Sequence, residues 1–139
     1  MWRIRNFEPT LLQVAVVAFG CVPVAAGVGG IVMGASFAED HKLGVSLDSH
    51  VRYLSGLLLA VGLGFWSTVP EIETKTQRFR LLTVIVAVGG LGRLGGFAVA
   101  GLPPKPMLFA LVMELGVTPA LCLWQGRIAA RSRRSSAFG

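Results

Sequence analysis

Residues 81–102 read LLTVIVAVGGLGRLGGFAVAGL, an apolar stretch interrupted by a single charged side chain, Arg93. A helix that crosses a bilayer needs about 20 predominantly apolar residues, and this stretch is long enough. In hydrocarbon every backbone polar group must be paired within its own segment, so the stretch is predicted to be a helix. This stretch indicates the fold class, a helical membrane protein. Arg93 raises the question of what a charged residue does there, because a permanent cation inside a membrane is costly.

The chain contains three further apolar runs of comparable length. They cover residues 11–33, 53–69 and 107–124, and the last is broken only by Glu114. Charged residues make up 14% of the chain, whereas soluble domains contain about 25%. The sequence therefore predicts an all-α fold, an integral membrane four-helix bundle that forms one domain over residues 1–130.

The basic residues indicate how the chain is oriented in the membrane. Nine of them fall at the N-terminus, in the loop between the second and third runs, and in the tail: Arg3, Arg5, Lys75, Arg78, Arg80, Arg127, Arg131, Arg133 and Arg134. Lys42, Arg52 and Lys105 fall on the other side. The positive-inside rule then predicts a multi-pass protein of the bacterial inner membrane with both termini cytoplasmic. Residues 131–139 are predicted to be a basic, disordered tail.

Arg93 has a candidate partner in Glu114. Arg93 lies nine residues before Leu102, or about 13.5 Å at 1.5 Å per residue. Glu114 lies seven residues after Met107, or about 10.5 Å. The turn between these helices is short, so they are expected to be neighbours and to join the two charges in an ion pair. Pro119 is predicted to kink the fourth helix.

A second group of polar residues lies at the start of the predicted second helix, in residues 47–56, LDSHVRYLSG. Asp48 and Arg52 are four residues apart and are expected to pair across one helical turn. Together with the first pair they define a candidate ligand-binding site: Arg52, Arg93, Glu114, Asp48, His50, Tyr53 and Ser55. Two interpretations stay open. The charges hold the helices in one register, or they line an outward-facing cavity that binds an anionic or quinone oxygen.

The sequence offers little for catalysis. No serine has a histidine and an aspartate in a recognisable spacing, and the two histidines, His41 and His50, do not form a metal motif. We therefore predict no catalytic residue, no metal site and no cofactor, and enzymatic activity is left open but disfavoured. The basic residues lie at the ends of apolar runs rather than in one groove, which argues against nucleic acid as a partner.

The order of the polar motifs resembles one known family. The motif pattern consists of an Asp-x-x-x-Arg-Tyr-x-x-Gly element, a Gly-Gly-x-x-Arg element, a Gly-x-Pro turn and a lone membrane glutamate. The residues concerned are Asp48, Arg52, Tyr53, Gly56, Gly89, Gly90, Arg93, Gly101, Pro103 and Glu114. The pattern resembles small bacterial four-helix membrane proteins known as domain of unknown function 4345, over roughly residues 10 to 130. The resemblance implies a fold and no activity.

Three functions fit these observations. The first is a membrane protein that binds a small or amphipathic anionic ligand, such as a lipid or a quinone-like molecule, in an outward-facing polar cavity. The second is an accessory or structural subunit of a larger membrane complex, and the third is a small oligomeric transporter. Expected partners are membrane lipid, a second copy of the chain, or a larger complex.

Overall fold

The computed structural model describes residues 2–38 and 44–137, and within these ranges the chain is helical apart from short connections. His41 and Lys42 lie outside the described residues. The helices are α1 (Trp2–Met33), α2 (Val45–Trp66), α3 (Thr76–Ala100), α4 (Lys105–Val112) and α5 (Thr118–Ala137). A 3₁₀ turn, Gly34–Ala38, follows α1, and a π-helical turn, Met113–Val117, joins α4 to α5. The predicted all-α class is confirmed, and the count of four fits because α4, the π turn and α5 run on continuously.

Three segments are long and apolar enough to cross a membrane: Phe7–Ser36, Thr76–Ala100 and Lys105–Ala137. Helix α2 is not among them, and its first turns contain Asp48 and Arg52. The second span, residues 53–69, stays a prediction.

Helix α5 continues to Ala137, where the sequence predicted a disordered tail from residue 131. Residues 127–137 contain neither glycine nor proline, and arginine and alanine favour helix. Ile128 and Ala129 are buried, so tertiary packing holds the helix just before residue 131. Residues 131–137 continue the helix with exposed or half-buried side chains.

The described residues form two compact units, where the sequence predicted a single domain. The first comprises Met1–Gln13 and Pro70–Gly139, and the second comprises Val14–Val69. Leu12, Ile72 and Phe79 are almost completely buried and form the core of the first unit. The single domain over residues 1–130 stays a prediction.

Helices α1 and α2 approach each other closely in the second unit. A Cβ atom added to Gly27 would lie 2.7 Å from the backbone nitrogen of Leu59, so only glycine fits at this crossing. Small residues allow such close approach of helices, which gains dispersion energy. Near the other end of α2, Nε1 of Trp66 donates a hydrogen bond of 3.2 Å to the carbonyl oxygen of Val17.

Candidate functional site

Arg93 of α3 and Glu114 of the π turn form a forked ion pair in the first unit. Nε of Arg93 lies 3.1 Å from Oε2 of Glu114, and Nη2 lies 3.0 Å from Oε1. The side chains are 34% and 18% exposed, respectively. Two parallel N–H···O bonds between charged groups are stronger and more directional than a single contact. The structure thus brings together the two residues whose depths the sequence predicted to match.

The π turn places Glu114 against α3. The backbone N–H of Thr118 donates to the carbonyl oxygen of Met113, five residues earlier, and Oγ1 of Thr118 donates to the same oxygen at 2.8 Å. Pro119 follows directly, and its ring would clash with the carbonyl of Leu115 in a regular α-helix. The wider turn relieves this clash. The sequence predicted a kink at Pro119, which stays a prediction, and gave no sign of the π turn.

Gly90 allows the two helices to meet at this level. A Cβ atom added to Gly90 would lie 2.8 Å from Cδ2 of Leu115 and 3.0 Å from Cβ of Glu114. Gly90 is buried and lies one turn before Arg93 on α3. Its missing side chain therefore lets the carboxylate of Glu114 approach the guanidinium from the neighbouring helix.

One edge of the Arg93 guanidinium is open. The group has five N–H donors, and Glu114 accepts from two of them. The two donors on Nη1 and the second donor on Nη2 have no acceptor among the described residues. Gly89, Gly92 and Gly96 lie near Arg93 on α3, and a Cβ added to any of them would meet no described atom within 4 Å apart from its chain neighbours and its own helix backbone. The arrangement can therefore hold a further oxygen acceptor.

A second charged group, the Asp48 cluster, joins the start of α2 to the end of α1 in the second unit. Oδ2 of Asp48 accepts a bond of 2.8 Å from Nε of Arg52, and Oδ1 accepts one of 2.8 Å from the backbone N–H of Ala35. Nη1 of Arg52 donates to the carbonyl oxygens of Ile31 and Val32. A cation at a helix C-terminus satisfies carbonyls that lack partners in the helix and opposes the negative end of its dipole.

Gly34 makes this cluster possible. Its φ angle of +59° lies in the left-handed region, which favours glycine. A Cβ atom added there would also collide with Asp48 and Arg52. The hydrogen bond from Arg52, followed by the one from the backbone N–H of Ala35, holds the pKa of Asp48 below its ordinary value. These contacts are those of a helix clamp.

The remaining predicted site residues, His50, Tyr53 and Ser55, lie on α2. The hydrogen bonds described for them do not include the Arg93 pair or the Asp48 cluster. His50 is exposed, and its Nδ1 donates to the carbonyl oxygen of Ser46 one turn earlier at 2.9 Å. Tyr53 is 67% exposed, and Ser55 is half-buried. The Arg93 pair and the Asp48 cluster each lie within one unit, so a single cavity lined by both stays a prediction.

Sequence reasoning missed a buried polar group in the first unit. Gln125 is completely buried, and its Nε2 donates to the carbonyl oxygen of Ile72 at 2.8 Å and to Oγ1 of Thr76 at 2.9 Å. Its Oε1 has no hydrogen-bond partner among the described residues. The only signal in the sequence is one amide at the end of the apolar run 107–124. Gln125 fixes the connection before α3 against α5.

A family described as "Domain of unknown function (DUF4345)" matches residues 11–125, which is most of the chain. The chain belongs to the DUF4345 family. The resemblance noted in the polar motifs is thereby confirmed. No curated protein and no solved structure matches this DUF4345 chain. The family description names no activity, so the function of the DUF4345 chain has to be argued from its ion pairs.

Replacing Glu114 by Gln in this DUF4345 protein is expected to lower the free energy of unfolding by about 2 kcal/mol. This lies between the effects of breaking exposed and fully buried ion pairs, because the Arg93 pair is half-buried. The measurement is thermal unfolding in a neutral detergent. Glu73→Gln is the matched control, because it removes the same charge from the first unit at a residue outside the pair. Equal melting temperatures for the two variants would contradict this role of Glu114.

The Asp48 cluster of the DUF4345 chain is expected to lose its stabilising effect in acid. The pKa of Asp48 in the folded protein lies below the ordinary value of 3.8. A lowered carboxyl pKa contributes stability that is fully present well above 3.8 and declines as the pH falls through the folded pKa. The melting temperatures of the wild type and Asp48→Asn should therefore differ at pH 7 and converge below pH ~4. A gap that is independent of pH would exclude ionisation of Asp48 as its cause.

Proposed function

We propose that this DUF4345 protein is a multi-pass protein of the bacterial inner membrane that binds a small or amphipathic ligand at the open edge of Arg93. The ligand would supply a carboxylate, phosphate or quinone oxygen. The proposal combines two arguments, the placement of the helices in a membrane and the incomplete bonding of one guanidinium.

Exposed apolar side chains support the membrane placement. On α3 the exposed large apolar side chains are Leu81, Val84, Ile85, Val88, Leu91, Leu94 and Val99. A soluble monomer rarely exposes a continuous apolar surface of this kind, whereas lipid tails require one. The distribution of basic residues then favours both termini on the cytoplasmic side, with residues 53–69 as the remaining span.

The open edge of Arg93 is the observation that carries ligand binding. Inside a membrane water is scarce, so N–H donors without acceptors raise the free energy of the protein. Glu114 already balances the charge of Arg93 and occupies only one edge of the guanidinium. An acceptor oxygen on the ligand would satisfy the remaining donors, and the planar fork favours groups with two oxygens. The adjacent glycines leave the space that such a head group needs.

A second candidate function is that of an accessory subunit in a larger membrane complex. Gly92 and Gly96 are four residues apart on the exposed part of α3 and meet no described atom at the position of an added Cβ. This spacing of small residues suits the close approach of another transmembrane helix. The same face could join copies of the chain, as an oligomeric transporter would require.

The proposed topology predicts which residues can be labelled from outside the cell. In a background with Cys21→Ala and Cys122→Ala, a cysteine is introduced by Lys105→Cys or by Ala137→Cys. A membrane-impermeant maleimide should label the Lys105→Cys protein in intact cells. It should label the Ala137→Cys protein only after the membrane is permeabilised. The reverse pattern would invert the orientation, and equal labelling of both in intact cells would contradict membrane insertion.

The proposed site predicts a selective effect of Arg93→Lys. Lysine keeps the positive charge but does not present the planar fork. With oleate as the probe carboxylate, the variant purified in neutral detergent should bind at least about tenfold more weakly than the wild type, as expected when about 1.4 kcal/mol of hydrogen bonding is lost. Native mass spectrometry of the oleate adduct gives the measurement.

Lys105→Gln is the control, because it removes a cation from the start of α4, away from the pair. Weaker oleate binding in Arg93→Lys, with a melting temperature close to that of the wild type and normal binding in Lys105→Gln, would support the site. Equal binding in all three proteins would contradict it. If oleate does not bind and Gly92→Leu releases a protein that co-purifies with the wild type, the function is that of an accessory subunit.

A further inference from the structure

The ordered end of α5 presents a row of arginines on one face. Arg127, Arg131 and Arg134 are spaced by four and three residues, which places them on the same side of a helix. All three are exposed. Gln125, Ile128 and Ala129 are buried on the opposite side. We call Arg127, Arg131 and Arg134 the arginine stripe; the packed residues opposite orient its start at Arg127, and the helix continues it to Arg134.

Neighbouring residues of the first unit add to the positive charge. Nη2 of Arg80 lies 3.9 Å from the position that a Cβ on Gly126 would occupy, so a fourth guanidinium lies beside the start of the stripe. Glu8 forms an ion pair with Arg131. Where α3 begins and α5 ends, the described side chains include seven basic residues and three acidic ones: Lys75, Arg78, Arg80, Arg127, Arg131, Arg133 and Arg134 against Glu8, Glu71 and Glu73. The basic side chains of this region therefore outnumber the carboxylates that can neutralise them.

The stripe begins where the apolar part of α5 ends. Arg127 lies three residues after Trp124, the last residue of the apolar run, and Arg134 lies seven residues further on. At 1.5 Å per residue these distances are about 4.5 Å and 15 Å beyond Trp124. The headgroup region adds about 5–8 Å on each side of the hydrocarbon core. With Trp124 at the interface, the stripe crosses the headgroup layer and extends just beyond it.

We propose that the arginine stripe, together with Arg80, binds the headgroups of anionic phospholipids at the membrane surface. Guanidinium groups form forked, charge-assisted hydrogen bonds with phosphate oxygens. Basic residues next to a membrane span are attracted to anionic lipid. The proposal rests on the membrane placement described under the proposed function, but it is independent of ligand binding at Arg93. The proposed lipid site lies near the start of α3, whereas Lys105 follows the end of α3.

The test uses the full chain purified in a neutral detergent. Phosphatidylglycerol and phosphatidylcholine with identical acyl chains are added in turn, and native mass spectrometry measures the bound lipid. The wild type should retain phosphatidylglycerol selectively. The double variant Arg127→Gln, Arg134→Gln should bind it about thirty-fold more weakly, given the attraction expected for each arginine near a membrane surface.

The matched control is the double variant Lys42→Gln, Lys105→Gln, which loses the same charge at residues that the sequence assigns to the other side of the membrane. It should retain phosphatidylglycerol as the wild type does. Equal weakening in both double variants, or equal retention of the two lipids by the wild type, would overturn the proposal. Inorganic phosphate that stabilises the protein as much as phosphatidylglycerol would assign the site to free phosphate and also overturn it.

A measurement on the wild type alone guards against a folding defect in the variants. Raising the salt concentration from about 0.1 M to about 1 M shortens the Debye length from about 10 Å to about 3 Å. Selectivity for phosphatidylglycerol should decrease accordingly, and salt-independent selectivity would contradict a role for the stripe. The Arg93→Lys protein should keep its lipid selectivity, so that failure of the oleate site and failure of the lipid site can be told apart.

Discussion

The forked ion pair between Arg93 and Glu114 is the constraint on which the first unit depends. A guanidinium on a helix as apolar as α3 needs a counter-charge at the same depth, and only the following helix supplies one within the described part of this unit. Gly90 allows the helices to come close enough, and the π turn aims the carboxylate. Backbone geometry and side-chain choice therefore serve the same contact.

The Asp48 cluster solves a different problem in the second unit. Helix α1 ends with carbonyl groups that have no partner inside the helix, and Arg52 reaches back from α2 to bind two of them. Asp48 holds Arg52 in place and also accepts the backbone N–H of Ala35. Arg52 has acceptors for three of its five N–H donors, on Asp48 and on the backbone of α1. Arg93 has acceptors for only two, both on Glu114, which leaves its Nη1 without a described partner.

Much of this could be predicted from the sequence, because it follows from spacing. The helices follow from the apolar runs, the Arg93 pair from matched depths across a short turn, and the Asp48–Arg52 bridge from a separation of four residues. Contacts with backbone carbonyls, such as those of Arg52, leave no pattern in the sequence. The composition of residues 131–139 resembles a disordered tail, so the sequence did not indicate that α5 continues to Ala137.

The π turn also has a consequence for how the family can vary in length. A turn with five-residue hydrogen bonding contains one residue more than the α-helical path between the same ends. Deleting a single residue within 113–117 would restore a regular helix and rotate Glu114 by about 100° about the helix axis relative to Pro119. The carboxylate would then leave the guanidinium. Gaps in this segment should consequently be tolerated less well than conservative exchanges of its side chains.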